Sequence, residues 1–231
     1  MTAEHGTSAE AMPGGLWRWA WVMVVPAVVA VYLLVNLRFP QVLPGGLNIY
    51  LAQPAAWTGL ALLALLGWRY GLQARPASQP RFLAFSVLLG AFQVSLMVLA
   101  GLYFGFGYSP YGHQPDVLAG NLIYVATMLV GVELARAYLI AVVGRARPLA
   151  GLLLVSLLFT LISIPPGQLS GLTTPLSVFQ MSGESFLPRM AQNLLATLLA
   201  LLGGPLASIA YRGALQAYEW TSPILPDLPW A

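Results

Sequence analysis

The run Phe82-Leu83-Ala84-Phe85-Ser86-Val87-Leu88-Leu89-Gly90-Ala91-Phe92-Gln93-Val94-Ser95-Leu96-Met97-Val98-Leu99-Ala100-Gly101-Leu102-Tyr103-Phe104-Gly105 contains no charged residue. A helix needs about 20 apolar residues to cross the hydrocarbon core of a bilayer, and this run exceeds that. Its apolar residues do not alternate with polar ones, as a barrel strand requires. In lipid every backbone group must be satisfied internally, so an unbroken apolar run of this length reads as a membrane helix.

Working outward, similar runs lie at about 16–37, 56–71, 117–143, 149–164 and 189–218. The expected fold is therefore all-α: a polytopic membrane helix bundle of about six transmembrane helices. Composition agrees. The chain is 58% hydrophobic and 7% charged, against about 25% charged residues in an average soluble domain. So few charges cannot cover a water-facing surface, and the lipid bilayer is the expected main partner.

Several chemistries are excluded by residue type. There is no cysteine, which removes thiol nucleophiles, disulfides and Cys-ligated metals. All ten basic residues are arginine, which removes Schiff bases and Ser–Lys dyads. His5 and His113 are the only histidines. With so few ligands, no metal or other cofactor is expected. No basic patch with interleaved aromatics is present, so nucleic acid is not an expected partner.

The chain divides into three parts: a polar tail at 1–15, a six-helix membrane domain at 16–218 and a proline-rich connector at 219–231. Leu16 to Leu37 reads as an uncleaved first span, with Pro26 as a kink point. Pro40, Pro44, Gly45, Gly46 and Pro54 read as a loop over 38–56. Gly101 and Gly105 form a GxxxG pair suited to a close helix crossing. Residues 168–188 read as a loop with an interfacial segment near Leu176–Phe179. Gly203-Gly204-Pro205 is a bend point within one long sixth span. Six spans place both termini on one face. Eight arginines (18, 69, 75, 81, 136, 145, 147 and 212) then gather at or near that face, against Arg38 and Arg189 opposite. The positive-inside rule gives N-in, C-in in the cytoplasmic membrane.

The informative residues are the polar ones inside spans: Asn121, Glu133, Arg136, Asn193, Tyr211, Arg212 and Glu219. An ionisable side chain deep in a span costs at least about 2.5–3.5 kcal/mol unless it finds a partner or water. Glu133 and Arg136 are three apart and can pair on one helix. Similar depth also suggests two cross-helix pairs, Glu133–Arg212 and Arg136–Glu219. Pairing, snorkelling to the headgroups and a functional role remain open at this stage. Asn121, Gln93, Gln192 and Asn193 can serve as interhelical hydrogen-bonding groups or line a pocket.

Familiar hydrolytic sites do not fit. Glu133-Leu134-Ala135-Arg136 lacks the second Glu and the Arg spacing of the prenyl-protein-processing glutamate proteases, and neither histidine lies on a span. Met181-Ser182-Gly183-Glu184-Ser185-Phe186-Leu187-Pro188 is superficially similar to a signal peptidase serine motif. No lysine exists to activate Ser182 or Ser185, and a nucleophile needs its base within hydrogen-bond reach.

Two stretches carry a resemblance. One runs from Asn121-Leu122-Ile123-Tyr124 through Gly131-Val132-Glu133-Leu134-Ala135-Arg136-Ala137-Tyr138-Leu139-Ile140. The other runs from Phe186-Leu187-Pro188 through Gly203-Gly204-Pro205-Leu206-Ala207-Ser208, Tyr211-Arg212-Gly213 and Glu219-Trp220-Thr221-Ser222-Pro223-Ile224-Leu225-Pro226 to Leu228-Pro229-Trp230. Together they resemble the multi-spanning N-terminal membrane region that precedes the peptidase domain in some type I signal peptidase-like proteins of archaea and Gram-positive bacteria. The catalytic serine and its base lie beyond that region in the family, so no catalytic residue carries over. The resemblance implies a non-catalytic anchoring module for a peptidase domain encoded further on or on another chain. Asp227 and Pro229 have the form of a helix start, as at a junction. The alternative is a small six-span transport or substrate-capture subunit. A polar pocket near the midplane favours the alternative, and a packed bundle favours the anchor.

Overall fold

The computed structural model describes residues 17–71, 79–145, 147–172 and 174–227. The polar tail and the residues after Asp227 lie outside that set. Helix α1 (Trp17–Leu33) continues through a π-turn (Leu34–Arg38) into α2 (Phe39–Val42). Helix α3 (Gly45–Leu47) continues through a second π-turn (Asn48–Ala52) into α4 (Gln53–Gly71). Next come α5 (Pro80–Phe104), strand β1 (Phe106–Tyr108), α6 (Pro115–Val143), α7 (Pro148–Ile162) and α8 (Pro166–Ser170). Helix α9 (Pro175–Met181) passes through a third π-turn (Ser182–Phe186) into α10 (Leu187–Gly203). Helix α11 (Pro205–Thr221) and strand β2 (Ile224–Pro226) follow.

Among the described residues, five helical stretches are long and apolar enough to cross a membrane: Val22–Val42, Gly45–Arg69, Pro80–Phe104, Pro115–Val143 and Pro175–Gly203. The all-α membrane-bundle class is as expected. Helices α7 and α11 are shorter, at 15 and 17 residues, or about 22 and 25 Å at the helical rise.

The prolines behave differently from the expectation. The loop foreseen over 38–56 shrinks to Leu43 and Pro44, and the flanking segments are helical. Each π-turn ends two residues before a proline: Arg38 before Pro40, Ala52 before Pro54, Phe186 before Pro188. Proline lacks an N–H and its ring collides with the carbonyl four residues back. A wider turn just upstream lets the helix continue past the ring. Prolines also occupy the first turn of α5, α6, α7 and α11, where the missing N–H costs nothing.

Close contacts give the helix directions. Val25 on α1 shares a groove with Leu139 and Val143 near the end of α6, and Val35 in the π-turn that follows shares a cavity with Tyr124 and Glu133. So α1 runs antiparallel to α6. Gly120 meets Tyr50 and Gly67 meets Tyr138, so α4 runs parallel to α6. Helix α11 runs antiparallel to α6, with Trp220 beside Tyr124 and Arg212 beside Glu133. It runs parallel to α5. Phe82 touches Gly203 just before α11 begins, Gly90 touches Tyr211 and Ala214, and β1 pairs antiparallel with β2 beyond both helices.

These directions correct the sixth span. It is an antiparallel hairpin, α10 then α11, rather than one bent helix over 189–218. Gly204 makes the turn at φ 77° and ψ −174°, a region that is essentially glycine-only. The arrangement of the described residues also differs from the common face expected for both ends. Helix α1 begins on the first face, and β2 lies on the second.

Other expectations shift too. Gly101 packs against the Phe106 ring and Gly105 is the positive-φ cap of α5, so the GxxxG pair marks no helix crossing. The close crossing on α5 is at Gly90, where an added Cβ would lie 3.0 Å from the Tyr211 carbonyl oxygen. The interfacial segment near Leu176–Phe179 is helix α9, with Leu176 and Phe179 exposed. Two apolar clusters form the core. The larger joins α1, α4, α6 and α7 with Ala200 of α10, and the smaller joins α10 and α11, with α5 packed against it.

Candidate functional site: a charged cleft at the helix seam

Helices α6, α10 and α11 meet where the two apolar clusters adjoin. Glu133 is 0% and Arg136 1% exposed. Glu133 lies ten residues before the end of α6, or about 15 Å at the helical rise.

Arg136 is held from several sides. Its Nε donates to Glu133 Oε2 at 2.9 Å. Nη2 donates to Asn193 Oδ1 at 2.8 Å. Nη1 donates to Thr197 Oγ1 at 3.0 Å and to the Asn193 carbonyl at 3.3 Å. The Phe159 ring covers the guanidinium at 4.3 Å. Asn193 is itself fixed, its Nδ2 donating to the Arg189 carbonyl at 2.9 Å. The spacing explains the set: Asn193 and Thr197 are four apart on α10 and share a face.

Of the two cross-helix pairs, one forms as a charge contact. Arg212 Nε stands 4.0 Å from Glu133 Oε1, too far for a hydrogen bond. The other does not form. Arg136 spends its donors on Glu133, Asn193 and Thr197, while Glu219 accepts from Gln216 Nε2 at 3.3 Å.

A cavity of about 260 Å³ adjoins these groups, lined by Trp57, Tyr124, Glu133, Arg136, Arg212 and Gln216 among others. A second cavity of about 460 Å³ shares Tyr124, Asn193, Arg212 and Gln216 with it and adds Tyr111, Arg189, Gln192, Glu219 and Trp220. The two form one cleft running from the Glu133 level toward the second face. Tyr111 stacks on Trp220 at 3.8 Å between ring centroids, with Tyr124 packed against the same indole. His113 and the Ser222 carbonyl lie 3.0 Å apart nearby. Burial, and after it the Glu219 carboxylate, push the Tyr111 phenol above its ordinary pKa, so it stays neutral at physiological pH.

Three side-chain atoms buried in this region lack any hydrogen-bond partner: Trp57 Nε1, Glu133 Oε1 and Gln216 Oε1. All three residues line the inner cavity. Leaving a buried polar atom unpaired costs about 1–3 kcal/mol, and all three such atoms here belong to residues around one cavity.

Glu133, Arg136, Asn193, Arg212 and Glu219 thus come together. Two expected residues do not. Asn121 reaches toward the Gly112 carbonyl at 3.5 Å in the second-face loop. Tyr211 donates to Gln93 Oε1 at 2.5 Å and ties α11 to α5. Thr197, Trp57, Gln216 and the Tyr111–Trp220 stack were not foreseen. Thr197 was legible from its four-residue spacing to Asn193, and Gln216 from the same spacing to Arg212. Among the described residues no group of acidic or histidine side chains is arranged to hold a metal. No family model, curated protein or solved structure matches the chain.

Proposed function

We propose that this chain is a membrane-embedded capture module that takes a polar ligand into the cleft between α6, α10 and α11. The supporting observation is a cavity lined by the charged Glu133, Arg136 and Arg212, three of whose lining residues carry a buried polar atom without a hydrogen-bond partner. A purely anchoring bundle has no use for that arrangement, which leaves polar groups unpaired where packing could have been apolar. The ligand enters from the second face through the vestibule rimmed by Tyr111 and Trp220.

Arginine supports an orientation in the cytoplasmic membrane. Arg69, Arg81, Arg145 and Arg147 lie at helix ends on the first face, against Arg38 and Arg189 on the second. By the positive-inside rule the first face is cytoplasmic, and the cleft opens outward.

The test is native mass spectrometry of the purified chain in mild detergent, with Glu133→Gln and Arg212→Ala alongside. A co-purified non-lipid or lipid species held in defined stoichiometry by the parent chain and weakened in both variants is the expected result. A chain that carries only loosely associated detergent and lipid, unchanged by either substitution, overturns the capture reading.

A second reading keeps the resemblance to signal peptidase-like membrane regions. One observation favours it: α11 and β2 carry the chain to the second face, the outer one in this orientation. A peptidase domain joined there, or docked from another chain, would stand where signal peptides are cleaved. Co-purification of a serine peptidase with the tagged chain from its native membranes supports this reading. Its absence under crosslinking argues against it.

A further inference from the structure

Resting on the capture reading, we infer that the ligand carries a singly charged oxyanion, a carboxylate or phosphodiester, and that Arg212 receives it. Charge is the first ground. The cleft is lined by Arg136, Arg189 and Arg212 and by Glu133 and Glu219. That leaves one positive charge uncompensated.

Geometry identifies which one. Arg136 holds a close ion pair and bonds to Asn193 and Thr197. Arg189 Nη1 donates to Gln168 Oε1 at 3.0 Å and its head reaches the exposed side. Arg212 makes no hydrogen bond among the described residues. Its one carboxylate contact within 4.0 Å is to Glu133, already engaged by Arg136, and Glu219 lies farther along the same cleft, within electrostatic reach but bonded to Gln216. Its side chain is 18% exposed and lines both parts of the cleft. A guanidinium inside a bundle pairs with an opposite charge or faces a wet cavity, and Arg212 shares its nearest carboxylate with Arg136. Its planar fork matches two oxygens of one carboxylate or phosphodiester group.

The neighbours refine the ligand. Glu133 Oε1, Gln216 Oε1 and Trp57 Nε1 have no hydrogen-bond partner and belong to residues of the same wall. A ligand with a hydroxyl or ammonium beside its oxyanion would satisfy the acceptors while Arg212 holds the charge. Such a group arrives either on a soluble small acid through the vestibule or on a lipid entering from the bilayer.

The experiment is thermal unfolding of the purified full chain in uncharged detergent. The additives are sodium lactate, octanoate or phosphatidylglycerol, each against sodium chloride at equal ionic strength. At least one of the three is expected to raise Tm saturably. Lactate alone indicates a soluble acid, and octanoate or phosphatidylglycerol indicates an amphiphile. Arg212→Lys keeps the charge but loses the fork and is expected to weaken the apparent affinity about tenfold or more. Arg38→Ala, on the exposed side of the π-turn, is expected to leave it unchanged. If no additive gives a saturable shift, or if Arg212→Lys binds as the parent does, the inference fails. A co-purified ligand found by mass spectrometry to be neutral or cationic also overturns it while leaving the capture reading standing.

Discussion

Arg212 approaches Glu133 without bonding to it: 4.0 Å separates Nε from Oε1, while Arg136 holds the other carboxylate oxygen at 2.9 Å. One buried carboxylate thus serves two guanidiniums from different helices. Breaking one side of a buried pair leaves an uncompensated charge and costs about 3–5 kcal/mol. Glu133→Gln is therefore expected to destabilise the chain by about 3 kcal/mol or more, read as a lowered Tm in detergent. A loss within the 0–1 kcal/mol of an exposed pair would contradict the buried network. Replacing both Glu133→Leu and Arg136→Met is expected to cost less than Glu133→Gln alone.

Gly204 turns the chain between α10 and α11 at φ 77°. Gly204→Ala is expected to cost about 1–3 kcal/mol through backbone strain alone. Gly203→Ala tests a different cost, because its Cβ would meet Ala207 and Phe82 at 2.7 Å. If Gly204→Ala unfolds at the parent temperature, the hairpin turn is not as described.

Gly90 sets the distance between α5 and α11. A Cβ there meets Ala214 Cβ at 2.7 Å and the Tyr211 carbonyl at 3.0 Å. Gly90→Val is expected to cost about 1–3 kcal/mol by overpacking and to weaken the Tyr211–Gln93 bond. A crosslink between cysteines introduced on α5 and α11 would form more slowly. Gly45→Val, with nothing within 4 Å of its Cβ, is the control for substituting glycine by itself.

The absence of cysteine makes sidedness directly measurable. Single variants Gln79→Cys on the first face and Thr221→Cys on the second should react oppositely with a membrane-impermeant maleimide in intact cells. Thr221→Cys labels from outside and Gln79→Cys does not. Labelling of both positions from one side would remove the hairpin topology and the outward opening of the cleft together.

The helix class was legible because a run such as 82–105 has only one low-energy form in lipid. The Glu133–Arg212 contact was legible too, from depth. The turn at Gly204 was not: Gly-Gly-Pro is equally the signature of a kink, and only the match of Gly90 to Tyr211 and Trp220 to Tyr124 distinguishes them. That one ambiguity reversed the face on which the described chain ends. Pro40 and Pro54 misled for a related reason. A proline is read as a breaker in an α-helical register, and the π-turns upstream of both lie outside that register. Arg136–Glu219 failed because Asn193 and Thr197, neutral residues on α10, outcompeted a distant carboxylate for the same donors.

The single-residue joint between α10 and α11 also constrains how the protein is made. Helix α11 carries Arg212, Gln216 and Glu219 along 17 residues, too polar and too short to partition into lipid by itself. Tethered at Gly204, it is expected to enter the bilayer behind α10 as a paired unit. By then α6 is already seated, with Glu133 and Arg136 neutralising each other within a single turn. Among the described residues the charged cleft is thus completed by α11, and a chain stalled before Arg212 would lack one wall of it.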